Sequence, residues 1–274
     1  MSLVINTNTD ALTAYRNLST TQNKLSNAVT QLSSGLRINK AADDAAGLAI
    51  SQNLTSQVNG IGQAVRNAQD GINVVQTADG ALSETQNILQ RLNTLAVQSA
   101  NATNDQNARN DIQAEVTQDT TELDNIASGT KFNNVALLDG SFSGTFQVGY
   151  QNDATSKLTV SIDNMDSNGL GLSGMTLSSQ SGAQSAIDTI ASALQTVSTQ
   201  RAKLGAIQNS LQHTINNLNV TQENLQASNS SIQDTDMAAT MTSYTQANIL
   251  SQAGTSMLKQ ANSEPNAILS LLQG

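Results

Sequence analysis

The chain has 274 residues, a formal net charge of −9 and 38% hydrophobic residues, with aromatics at only 2%. That length suits one large domain or two modest ones, and the acidic balance repels nucleic-acid backbones and anionic lipid, so neither is expected as a partner. There is no cysteine and one histidine, His213, which excludes disulfides, thiol nucleophiles and zinc sites of the Cys/His kind.

The apolar mass is aliphatic and rich in alanine, a composition that suits narrow helix-to-helix seams better than a thick globular core. The single proline, Pro265, leaves long stretches free of the strongest helix breaker. A first helix is expected over about 10–36: Ala11, Leu18, Leu25 and Leu32 repeat every seven residues, and Tyr15, Gln22, Val29 and Leu36 repeat likewise, offset by four. A second is expected over about 45–100, where Leu54, Ile61, Ala68, Val75, Leu82, Leu89 and Ala96 keep a strict spacing of seven. A period of seven demands a partner helix and a left-handed supercoil. Such a helix would be on the order of 80 Å long. Its internal glycines, Gly60, Gly62, Gly71 and Gly80, each cost roughly 1 kcal/mol relative to alanine, unless they serve close packing.

A shorter helix over about 105–128 carries Ile112, Val116, Leu123 and Ile126 on one face, and the polar stretch before it marks a turn. From Gly129 to about Gly182 the texture changes to Gly, Ser, Asn and Asp, with alternating runs at Thr145–Val148 and Leu158–Ile162 that predict a small antiparallel unit. Helical spacing resumes over about 184–232, from Ile187 to Ile232. A last helix is expected over about 235–263, with Pro265 marking its end. The expected fold is therefore mainly α: a long antiparallel helical coiled-coil rod with a small β-hairpin region at about 130–182, and paired terminal helices. Residues 1–40 with 235–274 form one expected domain and residues 41–234 the other.

The terminal helices have narrow apolar stripes that are marginal alone in water. The residues expected to carry self-assembly are Leu18, Leu25, Val29, Leu32, Leu36, Met237, Met241, Tyr244, Leu250 and Met257, with Leu271 and Leu272 in the apolar tail. These ends are expected to order fully only on burial against neighbouring copies. Methionines at helical spacing fill such a seam. His213 has no nucleophile partner and is expected as a surface or half-buried side chain. Asp43 and Asp44 are adjacent, point apart on a helix and are expected to join the terminal helix to the next one rather than to act as an acid/base pair. No run approaches the ~20 apolar residues of a membrane span, and the start, MSLVINTNTD, lacks a basic region followed by an apolar one, so export would need another route than a secretory signal.

The stretches Val4–Asn8, Leu32–Asn39, Ala41–Gly47, Gln69–Ile72, Leu89–Arg91, Leu95–Asn101, Ile112–Glu115, Lys131–Asn134, Phe146–Gly149, Leu204–Asn209, Gln252–Ser256, Gln260–Asn262 and Leu269–Leu272 together resemble one family, the bacterial flagellins. They cover nearly the whole chain in family order. The resemblance implies a flagellar filament subunit for motility, with both termini in an inner helical domain, exported unfolded through the flagellar type III apparatus to the extracellular flagellum. It implies a minimal member without outer domains, since the region near 170–185 is too short for them. It implies as partners the chain itself, flagellar cap and hook-junction proteins and an export chaperone at the C-terminal helix, and it implies no cofactor, no metal and no enzymatic activity. In some flagellins Toll-like receptor 5 binds a surface whose matching positions here are Arg91, Leu95 and Glu115; the same residues are equally expected as subunit contacts. Asp119 stands where such members often carry arginine, which reverses a local charge. The alternative reading is a minor flagellar junction or adaptor protein with flagellin-like termini.

Overall fold

The computed structural model describes the backbone of residues 7–272 and the side chains of residues 7–264. In chain order the elements are α1 (Thr9–Ser34), α2 (Ala45–Ala100), α3 (Gln106–Gly129), β1 (Lys131–Phe132), β2 (Val135–Ala136), β3 (Ser143–Gln147), β4 (Lys157–Ser161), α4 (Gln180–Gln233) and α5 (Met237–Leu272). They form two compact units, Met1–Ser56 with Asn224–Gly274, and Gln57–Glu223. The division by contacts runs through α2 and α4, whereas the expected domain boundaries lie in the connections at 40 and 235.

In the first unit α1 and α5 pack together antiparallel. Asn8 caps α1, its Oδ1 accepting from the Ala11 amide at 2.9 Å, and Gly35 ends it in the left-handed region at φ 74°. The chain then pairs with the end of α4 and the connection to α5: the Arg37 amide donates to the Gln233 carbonyl at 2.7 Å and the Thr235 amide to that of Gly35 at 3.0 Å. The Ala41–Gly47 stretch is a helix entry. Asp43 Oδ2 accepts from the Asn39 and Lys40 amides at 3.0 and 2.9 Å, and Asp44 Oδ1 accepts from the Gly47 amide at 2.8 Å, opening α2. A methyl on Gly47 would stand 2.4 Å from Asp44 Oδ2 and 2.7 Å from Ile38 Cδ1, so a larger residue there would have to displace the capping carboxylate and the buried Ile38. The joining role expected for the two aspartates is what they perform. Both carboxylates serve backbone amides.

One expectation for this unit is corrected. The last helix does not stop before Pro265 but runs on to Leu272. Proline lacks the N–H that would bond the carbonyl four residues back, which is Ala261 O. Asn8 Nδ2 donates to Ala261 O at 2.8 Å, so the interruption leaves no orphaned acceptor.

In the second unit the seven-residue row of α2 is fully buried from Ile61 through Ala68, Val75, Leu82 and Leu89 to Ala96. Val75, Leu82, Leu89 and Ala96 pack in one core with Ile112, Val116 and Leu123 of α3 and with Ala183, Ala186, Ile190, Ala193 and Val197 of α4, which step by three and four, and Leu204 seven residues on, while Ala68 joins a smaller cluster with Ile72, Val148, Leu211 and Ile215. Arg201 of α4 clamps α2 from the rim, its Nε 2.8 Å from Asp79 Oδ1 and its Nη1 donating to Gln86 at 2.7 Å. The buried Arg109 of α3 donates to the carbonyls of Ser99 and Asn101 and so closes the C-terminal end of α2.

The β region holds two antiparallel hairpins. β1–β2 turns through Asn133 and Asn134, both with positive φ (46° and 65°), the two-residue turn that matches strand twist. β3–β4 pairs Phe146 with Leu158, close to the strands expected at 145–148 and 158–162. Two α2 glycines make room for this hairpin: a methyl on Gly60 would stand 2.9 Å from Tyr150 Cβ, and one on Gly71 would stand 3.3 Å from Phe146 and 3.2 Å from Leu211.

Candidate self-assembly surface

The α1–α5 pair has a thin interior. In α1 only Leu18 and Ala28 are buried, and in α5 Ala247 and Thr240 meet the same condition. The helices approach closely at Gly254, where a methyl would lie 3.3 Å from Leu18 Cδ1. Small residues in the seam bring the backbones together and leave little room for large side chains between them. The larger apolar groups therefore turn outward.

The expected assembly residues divide accordingly. Leu18 is spent inside the pair; Leu25, Leu32, Leu36 and Tyr244 are half-buried; Val29, Met237, Met241, Leu250 and Met257 are exposed, Met257 to 64%. The side chains of Leu271 and Leu272 lie outside the described residues. Sequence reading missed Leu12 and Ile249, and it placed Tyr15 in a seam, whereas all three are more than half exposed, Tyr15 to 60% and Ile249 to 62%. A two-row stripe cannot reveal them, because it does not say which flank of the stripe the single partner helix covers.

The second expected surface is altered more. Leu95 is 1% exposed and belongs to the core of the second unit, so it offers nothing to a partner. Spacing of four from Arg91 suggested a shared outer face, but α2 packs against both α3 and α4 and its buried stripe is wide enough to include Leu95. Arg91 stays at the rim, 54% exposed, and its guanidinium is ion-paired to Glu115 of α3, with Nε 2.9 Å from Oε1. Asp119 lies one turn further on. Burial pushes its carboxyl pKa up, the nearby Glu115 charge adds to the shift, and Arg91 opposes it. Its Oδ2 is buried with no hydrogen-bond partner among the described residues. His213 is exposed on α4.

Residues 5–143 match the bacterial flagellin N-terminal helical region, and residues 187–272 match the bacterial flagellin C-terminal helical region. A flagellin of Halalkalibacterium halodurans is 46% identical over 99% of this chain and 100% of its own length. The chain belongs to the bacterial flagellins. A Bacillus subtilis flagellin is 42% identical over 98% of this chain and 99% of its own length. A Vibrio parahaemolyticus protein assigned to the flagellar hook-associated class shares the fold alone: 12% identity, TM-score 0.59, 70% of this chain and 100% of that one. As a flagellin the chain is a structural filament subunit of the minimal kind, in which residues 162–179 connect β4 to α4 with no outer domain inserted. Among the described residues, no helix is long and apolar enough to cross a membrane.

Proposed function

We propose that this flagellin polymerises through the outward apolar side chains on both flanks of its α1–α5 pair, chiefly Tyr15, Val29, Met241, Ile249, Leu250 and Met257. The observation that supports the reading is the imbalance in the pair: α1 buries two residues of its 26 while large apolar side chains face outward. Burying apolar area contributes about 25 cal/mol per Å², so covering this face between copies stabilises both the contact and the helices that form it. A face that meets a different patch on the next copy does not close on itself and propagates a helical polymer. Ordering of the termini is coupled to that burial. The junction or adaptor reading is not favoured, because the relatives matched over their full length are flagellins.

The remaining partners follow from this reading. Flagellar cap and hook-junction proteins would meet the same chain ends in the filament. An export chaperone would cover the exposed methionines Met237, Met241 and Met257 before the chain leaves for the extracellular filament. Arg91 and Glu115 are assigned to subunit contact rather than to Toll-like receptor 5. Leu95 is unavailable, Arg91 is already engaged by Glu115, and Asp119 adds negative charge beside them.

The test is a variant carrying Met241→Gln and Leu250→Gln, both at exposed positions. The monomer's unfolding should shift by no more than about 0.5 kcal/mol. The critical concentration for seeded elongation should rise roughly tenfold or more. Elongation indistinguishable from the parent chain would overturn the assignment of this face.

A further inference from the structure

We propose that Asn8 and Pro265 together set the register of α5 on α1. Asn8 uses both ends of its amide. Oδ1 caps α1 through the Ala11 amide at 2.9 Å, and Nδ2 reaches across to Ala261 O on α5 at 2.8 Å. Asn8 and Ala261 are 253 positions apart in the chain, so one side chain ties its two ends.

What makes Ala261 the address is the residue four positions later. Inside a helix each carbonyl already serves the N–H of residue i+4, so a side-chain amide arriving from another helix adds only a second bond to a satisfied acceptor. Pro265 is the chain's sole proline. It withdraws the N–H owed to Ala261. The interior of α5 therefore offers a single unclaimed carbonyl at this point, and the Asn8 donor is placed to take it. Sliding α5 along α1 by one residue would leave both groups half-buried and unpaired, a loss on both sides of one bond. The pair has two further fixed points along its length, the Leu18–Gly254 contact and the bridge between Leu36 and Asp234. Asn8 supplies the one nearest the chain ends. Pro265 is thus a helix-interior residue with a task, where its type would suggest a stop signal.

A cap role and a register role predict opposite results for one substitution. Aspartate caps a helix as well as asparagine does and suits the positive end of the helix dipole better. If Asn8 only caps, Asn8→Asp is neutral or favourable. If its Nδ2 holds Ala261, Asn8→Asp loses a donor and sets a carboxylate against a carbonyl oxygen. The experiment is hydrogen exchange on the full chain, unassembled and assembled, for the parent, Asn8→Asp, Pro265→Ala and the double variant, with Asn17→Asp as an exposed control of equal charge change. Asn8→Asp should speed exchange in the first turn of α1 and around Ala261 by roughly fivefold or more. Pro265→Ala restores an N–H for Ala261, so the double variant should recover most of that loss, and Asn17→Asp should change nothing. Equal effects of Asn8→Asp in the proline and alanine backgrounds would overturn the proposal, as would protection unchanged in Asn8→Asp. The register lock is independent of which face polymerises. Coupling between the two positions in a chain whose outward face proves dispensable for elongation would keep the lock and reject the assembly surface.

Discussion

Asp43 and Asp119 show how the setting of a single carboxylate decides the sign of its effect. Amides of Lys40 and Asn39 hold the Asp43 carboxyl below the usual carboxylate range. A group lowered in the folded state stabilises above its unfolded pKa, and that contribution is lost as pH falls through the folded value. Asp119 behaves in the opposite way. Burial raises its pKa, so the folded state binds the proton more tightly than the unfolded chain, and stability declines as pH rises between the unfolded and the raised folded value. Asp119→Asn removes both the buried charge and its repulsion with Glu115. The second unit of that variant should be more stable at neutral pH by about 0.5 kcal/mol, a figure kept small because the site is part-solvated. Its melting temperature should also vary less with pH between the ordinary aspartate value and the raised folded one. An unchanged pH profile in calorimetry would remove the burial argument for this residue.

Glycines inside α2 carry the corresponding lesson for a helix. Each is unfavourable by roughly 1 kcal/mol relative to alanine if nothing else acts. A methyl on Gly80 would meet nothing within 4 Å, whereas one on Gly60 would meet Tyr150 Cβ at 2.9 Å. Gly80→Ala should therefore stabilise the second unit by up to about 1 kcal/mol. Gly60→Ala should give none of that gain, and about 1 kcal/mol or more of loss as the β3–β4 loop is pushed away. Denaturant midpoints of the two variants read out the contrast; movement in the same direction would contradict it.

The helices themselves were legible because their signal is local and redundant. A row of seven-spaced residues survives any single exception, and α2 ends within the limits its row implies. The β1–β2 turn was not, since Asn133-Asn134 lacks the glycine that usually announces such a turn. Leu95 was misplaced because a spacing of four says that two residues share a face, not how wide the covered face is. The end of α5 was misjudged for a different reason. Whether a proline stops a helix depends on who takes the abandoned carbonyl, and here that is Asn8 from the far end of the chain.

Across the whole molecule, apolar side chains are allotted unequally. The second unit gathers leucines, isoleucines and valines into one large core and a smaller one beside Ala68, while the first, among the described residues, buries few apolar side chains, Leu18, Ala28, Ile38 and Ala247, with a glycine in its seam. The methionines follow the same split: Met165 is fully buried, Met175 is half-buried, and Met237, Met241 and Met257 are all about half exposed or more. Thioether sulfur takes up one oxygen from peroxide to become a polar sulfoxide, at a rate governed by access. The sequence thus carries a built-in chemical ruler, with three sensing sulfurs on α5 and a sheltered reference at Met165. A brief peroxide pulse followed by peptide mass spectrometry should mark the α5 trio well before Met165 in the free chain, and should spare the trio once copies have joined. Equal labelling of the trio in both states would mean that joining leaves this side of α5 open to water.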